Sequence, residues 1–310
     1  MSEGKKEKIN VLSLFDGMSC GQIALNKVGI EYENYFASEI DKYAILVTQK
    51  NYPNTKQIGS VIDVKGINLP KIDLMFGGSP CQNLSNVNVY SDGKGLNGSK
   101  SGLFWEFVRV LREVRPTYFL LENVGSANKE DIEIIDKELG VKGKRYNSKN
   151  LVPQYRDRIY WTNIPFDENY SKEQLSMKSI LENYVDDKYY LSEKMRDYIM
   201  SAGTGGWQSG KLEIDLDLAR PLTATMHKMH RADTDNYVTG LSPIGKTNIR
   251  KLTPLECERL QSVPDGYTNG ISDTQRYMML GNGWTVDVIA HIFSSLKGDG
   301  IFNNFSNENV

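Results

Sequence analysis

Apolar and polar positions change rhythm along this chain, and the change divides it into two halves. In the first half, short apolar runs alternate with stretches at helical spacing. Ile9–Phe15 reads as a strand that stops at the turn Asp16-Gly17, and residues 20–28 read as a helix. Tyr35–Glu39 reads as a second strand, with a helix following from Lys42. A third short strand is expected to end near Asp63, and Ile72–Phe76 is another, ending at Gly77-Gly78. Leu103, Phe104, Phe107, Val108, Leu111 and Val114 fall on one helical face. Residues 102–114 are therefore predicted to be an amphipathic helix, which Pro116 ends. Tyr118–Leu121 has the composition of a buried strand. Strands and helices alternating in this way predict an α/β fold, a doubly wound and mostly parallel sheet.

After Trp161 the pattern weakens. Residues 162–219 hold eleven Asp/Glu against six Lys/Arg, and they contain Gly203-Thr204-Gly205-Gly206. This middle stretch is predicted to be irregular or inserted structure. Regularity returns at Thr253-Pro254-Leu255-Glu256, a capping box with Thr as N-cap, Pro at the first helical position and Glu three after the cap. Helices are expected over 254–262 and 284–296, with a frayed Asn-rich tail after Gly298. The expected organisation is a main domain over 1–166, a small inserted domain over 167–249, and a segment over 250–310 that returns to the main domain.

Composition narrows the class without choosing within it. The chain has 310 residues, 39% hydrophobic and 25% charged, which suits one large soluble domain or a large and a small one. No run of 18 apolar residues exists, so no spanning helix and no membrane partner are expected. The charged start Met1–Lys8 lacks an apolar region, so no signal peptide is expected. Cys20, Cys81 and Cys257 are far apart and make neither a disulfide framework nor a zinc site; a reducing cytoplasm fits them. Net charge is −2, which does not announce a nucleic-acid binder. A local basic patch is enough for one, and residues 142–161 carry six Lys/Arg and one Asp.

Four features carry possible chemistry. The first is the loop Phe15-Asp16-Gly17-Met18-Ser19-Cys20-Gly21, with Glu39 at the end of the second strand. Glycines there let the backbone turn against a ligand, and an acidic residue in that place suits a ribose. The loop alone is equally a plain strand-to-helix turn. The second is Gly77-Gly78-Ser79-Pro80-Cys81-Gln82, which sets a thiol at the carboxyl edge of the sheet. A lone cysteine is commonly a small buried hydrophobe, but a Gly/Ser/Pro turn is a poor place to bury one. The third is Glu122-Asn123-Val124, a carboxylate at the same edge. Taken singly, Glu122 also reads as a cap for a helix beginning near Asn128. The fourth is Gln154-Tyr155-Arg156-Asp157-Arg158, in which Arg156 and Arg158 have strand spacing and share a face as possible phosphate contacts.

In this order, joined by Leu252–Gln261 and Gly281-Asn282-Gly283-Trp284, these features resemble the DNA (cytosine-5) methyltransferases over residues 9–165 and 250–296. Ser79-Pro80-Cys81 followed by Leu84-Ser85-Asn86-Val87-Asn88, and the run Arg158–Pro165, are similar to the animal de novo type. Gln82 and Asn282 side with bacterial enzymes, and the chain resembles a bare catalytic unit of bacterial or phage kind. The resemblance implies a Rossmann-like methyltransferase fold with a small target-recognition domain, and S-adenosylmethionine as cofactor without a metal. It implies Cys81 as the nucleophile on C6 of a flipped-out cytosine, and Glu122 at N3. Arg158 falls at O2, with Arg156 on the adjacent backbone. The cofactor residues it implies are Phe15, Asp16, Gly17, Glu39, Ile40, Asp63, Asn282 and Trp284.

In the middle segment, Pro221-Leu222-Thr223-Ala224-Thr225 is similar to the family's short Thr-bearing strand. Thr223, Thr225, His227, Lys228 and Arg231, with Gln82 and Ser85, are the expected DNA contacts; this histidine cluster also reads as a solvated loop. His227 and His230 have no matching ligands for a metal site. The expected partner is double-stranded DNA, modified at a short specific sequence by a monomer in the cytoplasm of a bacterium or phage-infected cell, at the nucleoid. A restriction endonuclease partner is not shown by the sequence. Three alternatives make different predictions. A tRNA cytosine-5 methyltransferase of the same fold would modify tRNA rather than duplex DNA. A silent DNA-binding relative would typically lack one of Cys81, Glu122 and Arg158. A hydride-transfer enzyme would bind nicotinamide and have no need of Cys81.

Overall fold

The computed structural model describes residues 8–79, 102–173, 175–201, 212–228, 231–241, 243 and 246–298. Within them the chain divides into two compact units. One runs through Tyr146, takes in Asp157–Tyr170, and resumes at Val288. The other comprises Asn147–Arg156 and Ser171–Asp287. The expected returning segment over 250–310 is thus shared, with 250–287 in the second unit and the chain from 288 in the first.

The first unit is built on a seven-stranded sheet. Its strands are β1 (Ile9–Leu14), β2 (Tyr32–Ser38), β3 (Lys56–Gln57), β4 (Leu74–Gly78), β5 (Tyr118–Val124), β6 (Lys144–Asn147) and β7 (Asp157–Thr162), in the order β3-β2-β1-β4-β5-β7-β6. β3, β2, β1, β4 and β5 run parallel to one another, and β7 is antiparallel to β5. The chain leaves β1 toward one edge and returns to β4 on the other side. That places the switch point, where α/β sheets bind ligands, at the carboxyl ends of β1 and β4.

The helices of this unit are α1 (Cys20–Val28), α2 (Lys42–Asn51), α3 (Gly102–Val114) and α4 (Lys129–Leu139). In α3 the predicted stripe is the buried one: Phe104, Phe107 and Val108 join a core with Leu12, Leu14, Met75, Leu121 and Trp161. Leu103, Leu111 and Val114 pack at its margin. α4 starts at Asn128, whose side chain accepts from Asp131 N–H at 2.7 Å. Asn128 is therefore the cap of that helix, and Glu122 lies inside β5.

Two expectations change at the sheet. β4 runs two residues further than its apolar run, through Gly77 and Gly78, which pair with Leu121 and Glu122. A Cβ at Gly77 would sit 2.6 Å from the Leu14 carbonyl oxygen, so only glycine lets β4 lie this close to β1. Asp63 does not end a strand. β3 stops at Gln57, and Asp63 closes a 3-10 turn over Val61–Asp63 that Ser60 caps.

The second unit holds α5 (Glu193–Met200), β8 (Tyr237–Thr239), β9 (Ile249–Lys251), α6 (Pro254–Leu260) and α7 (Asp273–Asn282). The last helix, α8 (Val286–Gly298), starts here and continues into the first unit. The capping box of α6 forms as predicted: Thr253 Oγ accepts from Glu256 N–H at 3.1 Å, and Glu256 Oε2 accepts from Thr253 N–H at 2.8 Å. Glu256 also holds the buried Arg250 guanidinium at 2.7 and 2.8 Å. The acidic stretch is more regular than expected, because Ser192 caps α5. α7 has its own N-cap, Ser272, with Gln275 three residues on, an unread capping signature.

Candidate active site

The loop from β1 to α1 turns sharply. Phe15, Gly17 and Ser19 all have left-handed backbone, at φ 56°, 58° and 65°. A Cβ at Gly17 would meet nothing within 4 Å, so the space over this turn is open. Two backbone donors of the loop reach the end of β2 and the residue after it: Asp16 N–H donates to Ser38 O at 3.1 Å and Gly17 N–H to Glu39 Oε2 at 2.7 Å. The other Glu39 oxygen accepts from Ile40 and Asp41 N–H at 2.7 and 2.8 Å. Beside this carboxylate Ile40 is 77% exposed, and Ile62, past the end of β3, is 63% exposed. Apolar side chains left in solvent on neighbouring loops of a ligand edge suit a flat ring. Ile62 had no signal in the sequence, because its apolar character looked like core.

Asp16 departs from its expected place as a direct ligand group. Its carboxylate is buried and turned inward, accepting from the Ser19 and Tyr35 hydroxyls. Burial raises its carboxyl to about 6, against the pull of the Ser13, Ser19 and Tyr35 hydroxyls.

At the other side of the switch point, β4 ends at Gly78, in register with Glu122 on β5. Cys81, Gln82 and Ser85 lie outside the described residues. The residue leading to them, Ser79, is held from β5: Asn123 Nδ2 donates to Ser79 Oγ at 3.1 Å. Asn123 is itself buried. The two described cysteines, Cys20 and Cys257, are both buried. Burial, with Glu256 and Glu258 beside it, pushes the Cys257 thiol well above its ordinary range, so it is no nucleophile.

β7 completes this edge. Its antiparallel register sets Tyr160 opposite Glu122 and Arg158 opposite Val124. Arg158 Nε meets Glu122 Oε1 at 2.8 Å, with side chains only 17% and 11% exposed. At that burial the pair is weakly screened by water and holds both groups in one geometry. Arg145 clamps the strand ends, donating to Asp157 Oδ2 at 2.7 Å and to Gly125 O at 2.9 Å. Two lysines of the basic run have acidic partners: Lys142 meets Asp136 at 3.1 Å and Lys144 meets Glu168 at 3.0 Å.

Arg156 does not share a strand face with Arg158. β7 begins at Asp157, and Arg156 belongs to the second unit, where it is buried. Its guanidinium donates to the carbonyls of Leu222, Gly281 and Gly283 at 2.9–3.0 Å. Those bonds give it a structural task in place of a phosphate contact. Gln154 works beside it, bonding Leu260 O and Leu222 N–H, each at 3.0 Å.

The predicted DNA contacts Thr223, Thr225, His227, Lys228 and Arg231 also lie in the second unit. They do not form a strand: residues 224–225 turn, and Met226–Lys228 is a single 3-10 turn closed by Lys228 N–H to Thr225 O at 3.0 Å. Arg231 Nη2 gathers the two threonine hydroxyls at 2.9 and 3.0 Å and meets Asp235 at 3.2 Å. His227 Nδ1 lies 3.1 Å from Ala224 O. Lys228 and Thr225 are exposed. Asn282 ends α7, exposed, and Trp284 is half-buried two residues later; both are in the second unit. Among the described residues no group of three or more His, Cys, Asp and Glu could hold a metal ion, and no helix is long and apolar enough to cross a membrane.

A doubly wound sheet with a turned loop after β1, an acid just past β2, and a Glu122–Arg158 pair in register with the end of β4 has the layout of an α/β ligand-binding fold. Comparison with known proteins gives the family. The model of the C-5 cytosine-specific DNA methylases matches residues 9–298. The type II methyltransferase M1.ScrFI of Lactococcus lactis subsp. cremoris is 30% identical over 92% of this chain and 77% of its own length. M.NlaX of Neisseria lactamica, also a type II methyltransferase, is 28% identical over 93% and 96%. The orphan methyltransferase M.SPRI of Bacillus phage SPR is 26% identical over 93% and 97%. Among solved structures, the Entamoeba histolytica methyltransferase EhMeth aligns with a TM-score of 0.73 at 20% identity, over 94% of this chain and 99% of that one. A Spodoptera frugiperda DNMT2 variant aligns at 0.69 and 21%, over 94% and 100%; both likenesses concern the fold. The chain belongs to the C-5 cytosine-specific DNA methylases and is a DNA (cytosine-5) methyltransferase, of a family that uses S-adenosylmethionine.

Proposed function

We propose that the carboxyl edge of β1, β2, β4, β5 and β7 is the active site, with Cys81 as nucleophile and Glu122 and Arg158 as its partners. The observation that carries this reading is the Glu122–Arg158 pair, in register with the end of β4 three residues before Cys81. Cys81 thiolate adds to C6 of the cytosine, which makes C5 electron-rich. Glu122 holds N3 and delivers a proton there as negative charge develops, and Arg158 donates to O2. Asn123 holds Ser79, two residues before Cys81 in the chain. Once C5 carries the methyl group, a base or water takes the C5 proton, Cys81 leaves C6 as the thiolate, and N3 returns its proton to Glu122.

The residues of the first loop fit the family's cofactor. Gly17 leaves open space above the turn, Glu39 offers its carboxylate to the ribose hydroxyls, and Ile40 and Ile62 flank the place of the adenine. Phe15 and Asp16 contribute through the turned backbone, and Asn282 and Trp284 are further contacts by resemblance. S-adenosylmethionine, when bound, supplies the electrophilic methyl group.

The target cytosine must leave the duplex stack to reach a thiol at a sheet edge, at a cost of about a few kcal/mol. Contacts from Gln82, Ser85, Thr223, Thr225, His227 and Lys228 offset that cost, with Arg231 fixing the two threonines. The substrate is a short fixed sequence in double-stranded DNA. Relatives bear both type II and orphan names, so the reading does not require a restriction partner.

The test is conversion-based methylcytosine sequencing of plasmid DNA from bacteria expressing the protein or Cys81→Ser. Methylcytosine in one short context, absent with Cys81→Ser, is the expected result. Equal methylation by that variant would overturn the nucleophile assignment. Methyl transfer to tRNA and not to DNA would overturn the substrate.

A further inference from the structure

The loop between β1 and α1 is held from beneath by a buried polar chain that the chemistry of methyl transfer does not use. Asp16 Oδ1 accepts from Tyr35 Oη at 2.7 Å, and Oδ2 accepts from Ser19 Oγ. Ser19 Oγ in turn accepts from Gln22 Nε2 at 2.8 Å. The same amide donates to Thr55 Oγ1 at 2.8 Å, and Gln22 Oε1 accepts from Tyr32 Oη at 2.9 Å. One carboxylate thus links the loop to α1, to β2 and to the segment between α2 and β3.

The loop needs that support. Phe15 and Ser19 sit in left-handed backbone without being glycine, on either side of Asp16. Such residues persist only where the surroundings over-determine them. Ser19 precedes α1 yet makes no cap bond to the helix, because its hydroxyl is committed to Asp16. The bonds to Asp16 therefore stand in for local turn chemistry.

We propose that Tyr35 is a positioning residue for the cofactor: through the Asp16 carboxylate it holds the β1–α1 loop in the shape that binds S-adenosylmethionine. This rests on the reading of that loop as the cofactor site. As a carboxylate, Asp16 accepts from Tyr35 on one oxygen and Ser19 on the other. Once protonated, one oxygen becomes a donor, so its hydroxyl partner must turn to accept and both contacts lose the strength that the charge gave them.

The groups facing Asp16 are Ser13 on β1, Ser19 at the start of α1 with the buried Cys20 next to it, Tyr35 and Tyr32 on β2, and Glu39 after it. Glu39 is the charged one. Burial raises both phenols above their ordinary range, so they stay neutral donors. With the carboxyl at about 6, the brace is intact above that pH and weakens as pH falls through it. The Tyr35 hydroxyl stabilises the charged form. Removing it moves the transition to higher pH.

The experiment is calorimetric titration of the whole protein with S-adenosylmethionine from about pH 5 to pH 8, for the parent chain and Tyr35→Phe. Expected is about tenfold weaker binding by Tyr35→Phe near neutral pH, with the low-pH loss of affinity beginning at higher pH than in the parent. Parent affinity and parent pH profile in Tyr35→Phe would overturn the inference and leave the cofactor site standing. No binding by the parent protein would overturn the cofactor site, and the inference with it. If Tyr35→Phe does not fold, Asp16→Asn carries the test. It cannot titrate, so its affinity is expected to be flat across this range, and an unchanged pH profile would overturn the inference.

Discussion

Glu122 Oε1 meets Arg158 Nε at 2.8 Å, and Arg158 also donates from Nη1 to Asp157 O at 2.7 Å. A carboxyl can deliver a proton to a ring nitrogen and an amide cannot. Glu122→Gln keeps the shape and removes that ability. Methyl transfer in a single turnover is expected to slow on the order of 10²-fold or more. A rapid-quench measurement at saturating DNA and cofactor checks it, and an unchanged rate would reduce Glu122 to a structural residue. Asp16 is the contrasting acid. It looked like a ligand group from its place in a glycine loop, but burial and two hydroxyl donors make it a brace. A one-dimensional motif gives position, and only packing tells which way a side chain turns.

At the scale of elements, strand β4 shows why a glycine can matter more than an apolar run. Gly77 sits against the Leu14 carbonyl with no room for a Cβ, and its neighbour Gly78 sets the register of Glu122. Gly77→Ala is expected to destabilise the protein by about 1–3 kcal/mol through overpacking of β1 against β4. Denaturant unfolding measures that directly; parent stability would mean that the two strands can separate at no cost. Elements with strong periodicity or an explicit cap were legible in the sequence: β1, α1, the apolar stripe of α3, and the capping box of α6. Elements whose signal is a single serine were not, as with α5 behind Ser192 and α7 behind Ser272. The short strand expected to end near Asp63 failed for a related reason. Three residues of 3-10 turn and three of strand have similar composition, and the backbone ladder to β2 ends at Ile58, whose N–H donates to Ala37 O at 2.9 Å.

At the scale of the whole molecule, the second unit is assembled from distant pieces of chain. Arg156 joins three of them through the carbonyls of Leu222, Gly281 and Gly283. Arg156→Ala strands those buried acceptors and is expected to cost about 3 kcal/mol or more of stability. Chemical denaturation with near-UV circular dichroism checks it. A stable variant with lowered DNA affinity would return Arg156 to the backbone contact that its spacing from Arg158 suggested. By itself the sequence determined the mostly parallel α/β sheet and the family, and it singled out Cys81, Glu122 and Arg158 as the proposed set, because periodicity and ordered motifs are local properties of the chain. Only the tertiary structure decided that Arg156 and Arg158 belong to different units, that Asp16 faces inward to Tyr35, and that Asn123 holds Ser79. Those depend on strand register, burial and hydrogen bonds between residues far apart in sequence, which no local pattern encodes.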